Sequence, residues 1–367
     1  MNTLPVPPVL RSRQHLMSLG LMAAPDTLPI QQDGTTYTMA QEVCWLDASH
    51  FAIGRWDGSM SIFNFQSSPN QGPVITNAVN SPAYAGVQMI TYLATDLFVT
   101  ANDAQSLIVW SSPTGTWTDL STVQRLSYPA ALGVANSGAS FLSPDGQTRF
   151  LAVGHENGYL SIWSGSSAGF GLVLLRSVDL RAAHPVNPWN LHNIRGVALV
   201  SQDAASSYVV TGSEDGNLTV VRVPDGQIMS VVVYNPAAQR GINSLAYSAQ
   251  GLLVANCSVG PTDKNLWYYA IDLQTWAITC TASANLVVNT AAAQVFNFDV
   301  IWGATAGGPC WFSSTEEGYL WMGTVTPTAI AITGRQQVTS PLGAAIATTP
   351  AGNLAFVAYD IYQFTTL

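Results

Sequence analysis

An all-β fold is expected from three features of this sequence. Its composition is poor in charge and rich in turn-formers, a hairpin-like segment recurs along it, and apolar residues alternate in period two within each recurrence. Of 367 residues, 48% are hydrophobic and only 9% are charged, against roughly 25% charged in an average soluble protein. Disorder requires the opposite balance of low hydrophobicity and high charge. A coiled coil would need far more Glu, Lys and Arg, and 30 Gly with 20 Pro disfavour a helical bundle. The length suits one large domain of the sandwich, barrel or propeller size class.

The recurrence runs as a short apolar strand, an acidic-Gly type turn, and a second alternating strand. It reads HFAIGRWDGSMSIFNF at 50–65, FLAVGHENGYLSIW at 150–163, YVVTGSEDGNLTVVRV at 208–223 and CWFSSTEEGYLWMGTV at 310–325. Two degenerate copies fill the gaps at 97–110 and 252–271. The turn positions are Asp57, Ala104, Asn157, Asp215, Asp263 and Glu317, spaced 47, 53, 58, 48 and 54 residues apart. Asp, Asn or Glu before Gly supplies the polar first residue and the positive-φ second residue of a tight hairpin turn. Five residues after the Gly slot stands a bulky or apolar residue: Phe63, Trp110, Trp163, Val221 and Tyr269. The last copy departs with Gly323. Further alternating strands precede the hairpins, as in 193–203 and 241–251. Each recurrence therefore reads as one four-stranded antiparallel unit.

These units resemble WD40 repeats. The likeness is carried by Ser213-Glu214-Asp215-Gly216-Asn217-Leu218 and by Glu156-Asn157-Gly158-Tyr159-Leu160-Ser161-Ile162-Trp163, and it spans about 42–360. No Trp-Asp dipeptide closes a repeat; Trp56-Asp57 sits at a turn instead. The resemblance implies a β-propeller and, within blades, a Ser/Thr–His–Asp–Trp hydrogen-bond array. For that array the sequence offers Asp215, Thr211 or Ser213, and His192.

Six units and a shorter seventh at 340–364 predict a seven-bladed propeller of four-stranded antiparallel blades. The last blade lacks a strand, so an N-terminal strand within 34–40 is expected to complete it and close the ring, which protects sheet edges. Residues 34–367 form one propeller domain in this reading. Residues 1–33, with Pro5-Val6-Pro7-Pro8, form an N-terminal arm.

Twelve basic residues oppose 21 acidic ones, and Lys264 is the only lysine. A net charge of −9 argues against nucleic acid and against anionic membrane surfaces as partners. No apolar stretch is long enough to span a bilayer, and 11–24 is a poor signal peptide. A cytoplasmic or particle-bound location is expected. Cys44, Cys257, Cys280 and Cys310 are scattered without a C-x-x-C pair, so buried free thiols are expected rather than a zinc or redox motif.

No local motif for catalysis stands up. Gly165-Ser166-Ser167-Ala168-Gly169 matches the nucleophile elbow, but that motif needs a strand-to-helix turn, and a second strand is expected to follow here. The same Gly-rich run lacks the Lys of a phosphate-binding loop. His15, His50, His155, His184 and His192 form no metal-ligand spacing, although His184 and His192 are near in sequence. Glu316-Glu317 reads as a turn with an exposed neighbour. Asn217 and Asn256 head glycosylation sequons by pattern alone. No cofactor and no metal are expected. Asp57, Asn157, Asp215, Asp263 and Glu317 read as structural turn residues.

One segment reads as a surface. The connection 176–195 is long for a link between units and gathers Arg176, Arg181, His184, Trp189, His192 and Arg195. Trp and Arg are enriched in binding hot spots, so Arg181, His184, Trp189, His192 and Arg195 are expected to bind a partner. The function expected is a non-catalytic protein-interaction scaffold or a structural subunit of a larger assembly, with other proteins as partners. A virion or phage component is one alternative. An enzyme with its site at the central channel is another, to be distinguished by carboxylates or histidines converging there.

Overall fold

The computed structural model describes residues 26–29, 40–55, 58–64, 74–79, 86–102, 105–184, 191–234, 241–259, 263–292, 294–305, 307–337, 345–348, 353–357 and 360–365. The first strand, β1 (Asp26–Pro29), stands apart from those that follow it. Next come β2 (Ala40–Trp45), β3 (His50–Arg55), β4 (Met60–Asn64) and β5 (Val74–Val79), paired in that order. The second sheet is β6 (Val87–Ala94), β7 (Leu97–Asn102), β8 (Ser106–Ser111) and β9 (Ser121–Ser127). The third is β10 (Ala135–Leu142), β11 (Thr148–His155), β12 (Tyr159–Ser166) and β13 (Val173–Asp179). The fourth is β14 (Ile194–Gln202), β15 (Ser207–Ser213), β16 (Asn217–Val223) and β17 (Ile228–Val233).

Two further groups follow: β18 (Ile242–Ser248), β19 (Gly251–Val259), β20 (Leu266–Ile271) and β21 (Ile278–Ala284), then β22 (Gln294–Thr305), β23 (Gly308–Thr315), β24 (Tyr319–Thr326) and β25 (Ala329–Gln337). They share one eight-stranded sheet. The chain ends with β26 (Ala345–Thr348), β27 (Asn353–Val357) and β28 (Asp360–Thr365). All pairings are antiparallel, and the described helices are two single 3-10 turns, Ala130–Leu132 and Arg181–Ala183. The innermost strands β2, β6, β10, β14, β18, β22 and β26 touch in that order, and β26 returns to β2. The molecule is a closed β-propeller.

The expected seven blades are corrected to six: five four-stranded sheets and one of double width. The fusion occurs because Cys257, Ser258 and Val259 of β19 pair with Phe296, Val295 and Gln294 of β22. In regular copies the strand before the turn ends two residues ahead of the turn acid, as His155 does before Asn157. The degenerate copy at 252–271 has no Asp-Gly turn: β19 pairs with β20 only as far as Ala255 but continues to Val259, and this surplus reaches the neighbouring unit. The expected closing strand is also relocated. It is β1, Asp26–Pro29, and not a strand within 34–40, that pairs with β28; Ala40 instead opens β2.

The recurrent bulky position explains how each hairpin packs. Phe63, Trp110, Trp163, Val221 and Tyr269 stand opposite Phe51, Phe98, Leu151, Val209 and Leu252 across the central strand pair. Of these, Phe63, Trp163, Val221 and Tyr269 are buried. Gly323 is a reciprocal case. Its partner is Trp311, fully buried, and a Cβ on Gly323 would collide with that indole and the Ala331 carbonyl. The large ring has moved to the facing strand. Apolar clusters lie between adjacent blades as well as within them, joining β6–β9 with β10–β13 and β14–β17 with β18–β21. Sheets covered on both faces leave little surface for charge, which accounts for the composition.

One irregularity positions the channel. On six innermost strands the pairing register skips a residue at the same place: Gln41, Gln88, Asn136, Arg195, Asn243 and Phe298. Such a bulge bends its strand and re-aims a side chain.

Candidate functional site: the channel mouth and the 176–195 connection

Four of the bulged residues, Asn136, Arg195, Asn243 and Phe298, line a cavity of about 180 Å³ in the central channel, together with Glu42 and Asp299. Asn136 Nδ2 donates to Asn193 Oδ1 at 2.5 Å, Asn243 Nδ2 to the Asn297 carbonyl at 2.9 Å, and Ser244 Oγ to Asp299 Oδ1 at 2.6 Å. Phe298 stacks on Phe296 with centroids 5.9 Å apart. Burial, reinforced by the charge of Asp299 and opposed by Arg195, holds the Glu42 carboxyl well above its usual range. Carboxyl groups therefore do converge on the channel, at Glu42 and Asp299, as the channel-enzyme alternative requires, but no histidine or cysteine stands among the described residues that line this cavity with them. Neither residue was singled out in the sequence, because nothing local marks which polar residue a bulge turns inward.

The 176–195 connection ends at this mouth, where Arg195 belongs to both. Arg195 Nε donates to Glu214 Oε1 at 2.8 Å. Arg181 is clamped internally: its guanidinium reaches Asp179 at 2.8 and 2.6 Å and the Tyr159 hydroxyl at 2.7 Å, and it lies 4.7 Å from the Tyr159 ring centroid. The bonds from Arg181 hold the Asp179 carboxyl below its ordinary value. Gly158, at φ +76°, lets the β11–β12 turn press against this connection, where a Cβ would meet Arg181 and His192. Leu191 is 48% exposed. Trp189 lies outside the described residues.

His184 is buried. Its Nδ1 meets Asp215 Oδ2 at 2.5 Å and its Nε2 meets Thr219 Oγ1 at 2.9 Å. Ser213 Oγ and Asn217 also donate to Asp215 Oδ1. Burial alone would raise the Asp215 carboxyl, but the bonds and charge from His184, with those from Ser213 and Asn217, outweigh it and hold it low. His192 is the more distant imidazole, its Nδ1 3.8 Å from the same carboxylate. The residues expected for the WD40-type array are thus corrected. His184 takes the place assigned to His192, Thr219 accompanies Ser213, and no tryptophan completes the set because Val221 holds that slot. Asp215, His184 and Thr219 have the order of a carboxylate–imidazole–hydroxyl relay, yet all three are sealed from solvent.

Asn157, Asp215 and Glu317 have a structural role in common, which is to fasten the connection that arrives from the previous blade, whereas Asp263 ties the one that leaves its own. Asn157 Nδ2 donates to the Ala131 carbonyl at 3.1 Å. Glu317 accepts from the amides of Val288 and Asn289 at 2.8 and 2.6 Å, and Glu316 from that of Phe296 at 2.9 Å, so Glu316 is tied in and only partly exposed. The Asp263 carbonyl accepts from Asn285 Nδ2 at 2.5 Å. Asp57 lies outside the described residues. Asn217 and Asn256, the sequon asparagines, are fully buried. The Gly165–Gly169 run joins β12 to β13, a strand-to-strand turn. Among the described residues no three His, Cys, Asp or Glu side chains converge as metal ligands. Among them, too, no helix is long and apolar enough to cross a membrane.

No protein-family model and no curated protein matches the sequence. Solved structures do match. The β-propeller domain of Cps50 (Swd1) from Myceliophteria thermophila superposes with a TM-score of 0.62 over 93% of this chain and 100% of that one, at 13% identity. In all, 1577 solved chains match, a breadth that marks a widely used architecture and not one activity. The structure and this likeness establish an all-β propeller fold, the fold that the resemblance to WD40 repeats implies.

Proposed function

We propose that this protein is a non-catalytic interaction propeller that binds another protein at the channel mouth bordered by the 176–195 connection. One observation carries the reading: four innermost strands use the same bulge to turn Asn136, Arg195, Asn243 and Phe298 into the channel, and the long 176–195 connection ends there through Arg195. Bulges are over-represented where a strand must re-aim a side chain at a functional surface. The relay-like array of Asp215, His184 and Thr219 is sealed inside a blade, where it serves the fold. Arg181 and Arg195 are held by internal partners, which lowers the entropy cost of presenting them to a polar rim. Low surface charge suits a subunit packed within a larger assembly. The Cps50 (Swd1) propeller supports the fold on which this reading rests.

The test is a Trp189→Ala, Arg195→Ala double variant, first checked for a normal melting temperature. A partner recovered with the parent is expected to be lost from the variant, each anchor contributing about 2 kcal/mol or more. Equal recovery by both proteins moves the binding surface away from this mouth.

A further inference from the structure

Beyond the polar mouth, the channel continues into a second cavity of about 470 Å³, lined by Trp45, Tyr247, Trp302 and Ala198. The two cavities share Ser244, Leu245 and Asp299. Residues of the second come later along β2, β14, β18 and β22 than those of the first, so the two follow one another along the axis. The channel is therefore polar at one end and aromatic at the other, with a carboxylate where they meet.

We propose that the aromatic end binds a small organic ammonium, its apolar body among Trp45, Tyr247 and Trp302 and its N–H donors on Asp299. The volume falls within the range of small-molecule pockets, about 300–1,000 Å³. Indole and phenol rings are the preferred faces for a cation. Their polar tips are engaged elsewhere where the structure shows it: Trp302 Nε1 donates to the Gly251 carbonyl at 3.1 Å. Trp45 is braced by Phe51, with centroids 5.1 Å apart. The carboxylate is oriented by two donors on one oxygen, Ser244 Oγ at 2.6 Å and the Val300 amide at 2.9 Å.

Charge selects the class of ligand. Glu42 and Asp299 oppose each other electrostatically in the channel, and the cation near them, Arg195, already pairs with Glu214. An anion would meet two carboxyl groups, and a neutral molecule would gain at most an uncharged hydrogen bond to Asp299. A cation relieves the repulsion between Asp299 and Glu42 that adds to burial in raising the Glu42 carboxyl. Asp299 lines both cavities, but Trp45, Tyr247 and Trp302 line only this one, so Trp302→Ala tests this site apart from the mouth assigned to a protein partner.

The experiment is calorimetric titration of the full chain with 2-phenylethylammonium and with 2-phenylethanol, the neutral molecule of nearly the same shape. The ammonium is expected to bind about tenfold or more tighter than the alcohol. Asp299→Asn is expected to abolish that preference, with a loss of about thirtyfold in ammonium affinity, equivalent to roughly 2 kcal/mol. Trp302→Ala is expected to weaken both ligands by about tenfold. Equal affinity for the two ligands in the parent, or no binding of the ammonium at millimolar concentration, overturns the proposal. So does an unchanged preference in Asp299→Asn or unchanged affinity in Trp302→Ala. Should the asparagine variant lose its fold, Ala246→Leu narrows the cavity and leaves the carboxylate in place; unchanged ammonium affinity there overturns the proposal equally.

Discussion

The blade of β10–β13 and the blade of β14–β17 place a hydroxyl at the same point of their third strand, Ser161 in one and Thr219 in the other. Each brings an imidazole to it. In the first blade His155 arrives from the adjacent strand and meets Ser161 at 2.7 Å, while Trp163 Nε1 donates to the same oxygen at 2.9 Å. Burial pushes the His155 pKa down to about 4, so the ring is neutral at pH 7. In the second blade His184 arrives from the connection, with Asp215 behind it. One site works because its charge is absent, the other because an anion is held in place. A repeated architecture thus keeps the location of a polar knot without keeping its electrostatics.

Removing the anion should have the largest effect. Asp215→Ala strips the acceptor from His184, Ser213 and Asn217 inside a dry blade, and breaking a buried network of this kind costs about 3–5 kcal/mol. A fall in the urea midpoint without a change in slope checks it. Acid should act next, and only on the neutral site. An unfolded histidine takes up a proton near pH 6.5 and folded His155 resists it to about 4. Its contribution is therefore complete above pH 6.5 and lost as pH falls towards 4, by about 3 kcal/mol in total. Asp215, whose carboxyl is held low, keeps its contribution until pH falls below the ordinary Asp range of about 3.9. Denaturation of the parent and His155→Gln at pH 7.5 and pH 5 separates the two: the parent should lose about 2 kcal/mol that the variant does not. The smallest effect belongs to Trp163→Phe, which leaves Ser161 with one partner fewer and costs about 1 kcal/mol, measured by the same unfolding curve.

What could be read in advance follows from how local each signal is. The hairpins were legible because an Asp-Gly or Asn-Gly turn and two alternating strands are written within about 15 residues, and Phe63, Trp163 and Val221 mark their packed slot. The six-blade count was not legible. It depends on three residues of β19 pairing across to β22, a contact between two consecutive units that no turn or periodicity within either one marks. His192 was the histidine read for Asp215, and the course of the connection, which no local motif fixes, brings His184 there instead. The channel carboxyls Glu42 and Asp299 sit beside skipped pairing positions, and no single residue type marks a skip: Gln, Asn, Arg and Phe all occupy it.

That indifference has its own consequence. A residue outside the pairing ladder can be exchanged without disturbing a strand–strand hydrogen bond, so the bulge positions act as letters that vary while the page stays the same. Asn136, tied to Asn193, is a costly letter to change. Asn243 needs only one backbone acceptor, and Phe298 answers to a single ring neighbour. Selection acting on such a ring can rewrite what the channel recognises one blade at a time, and each intermediate remains a folded protein.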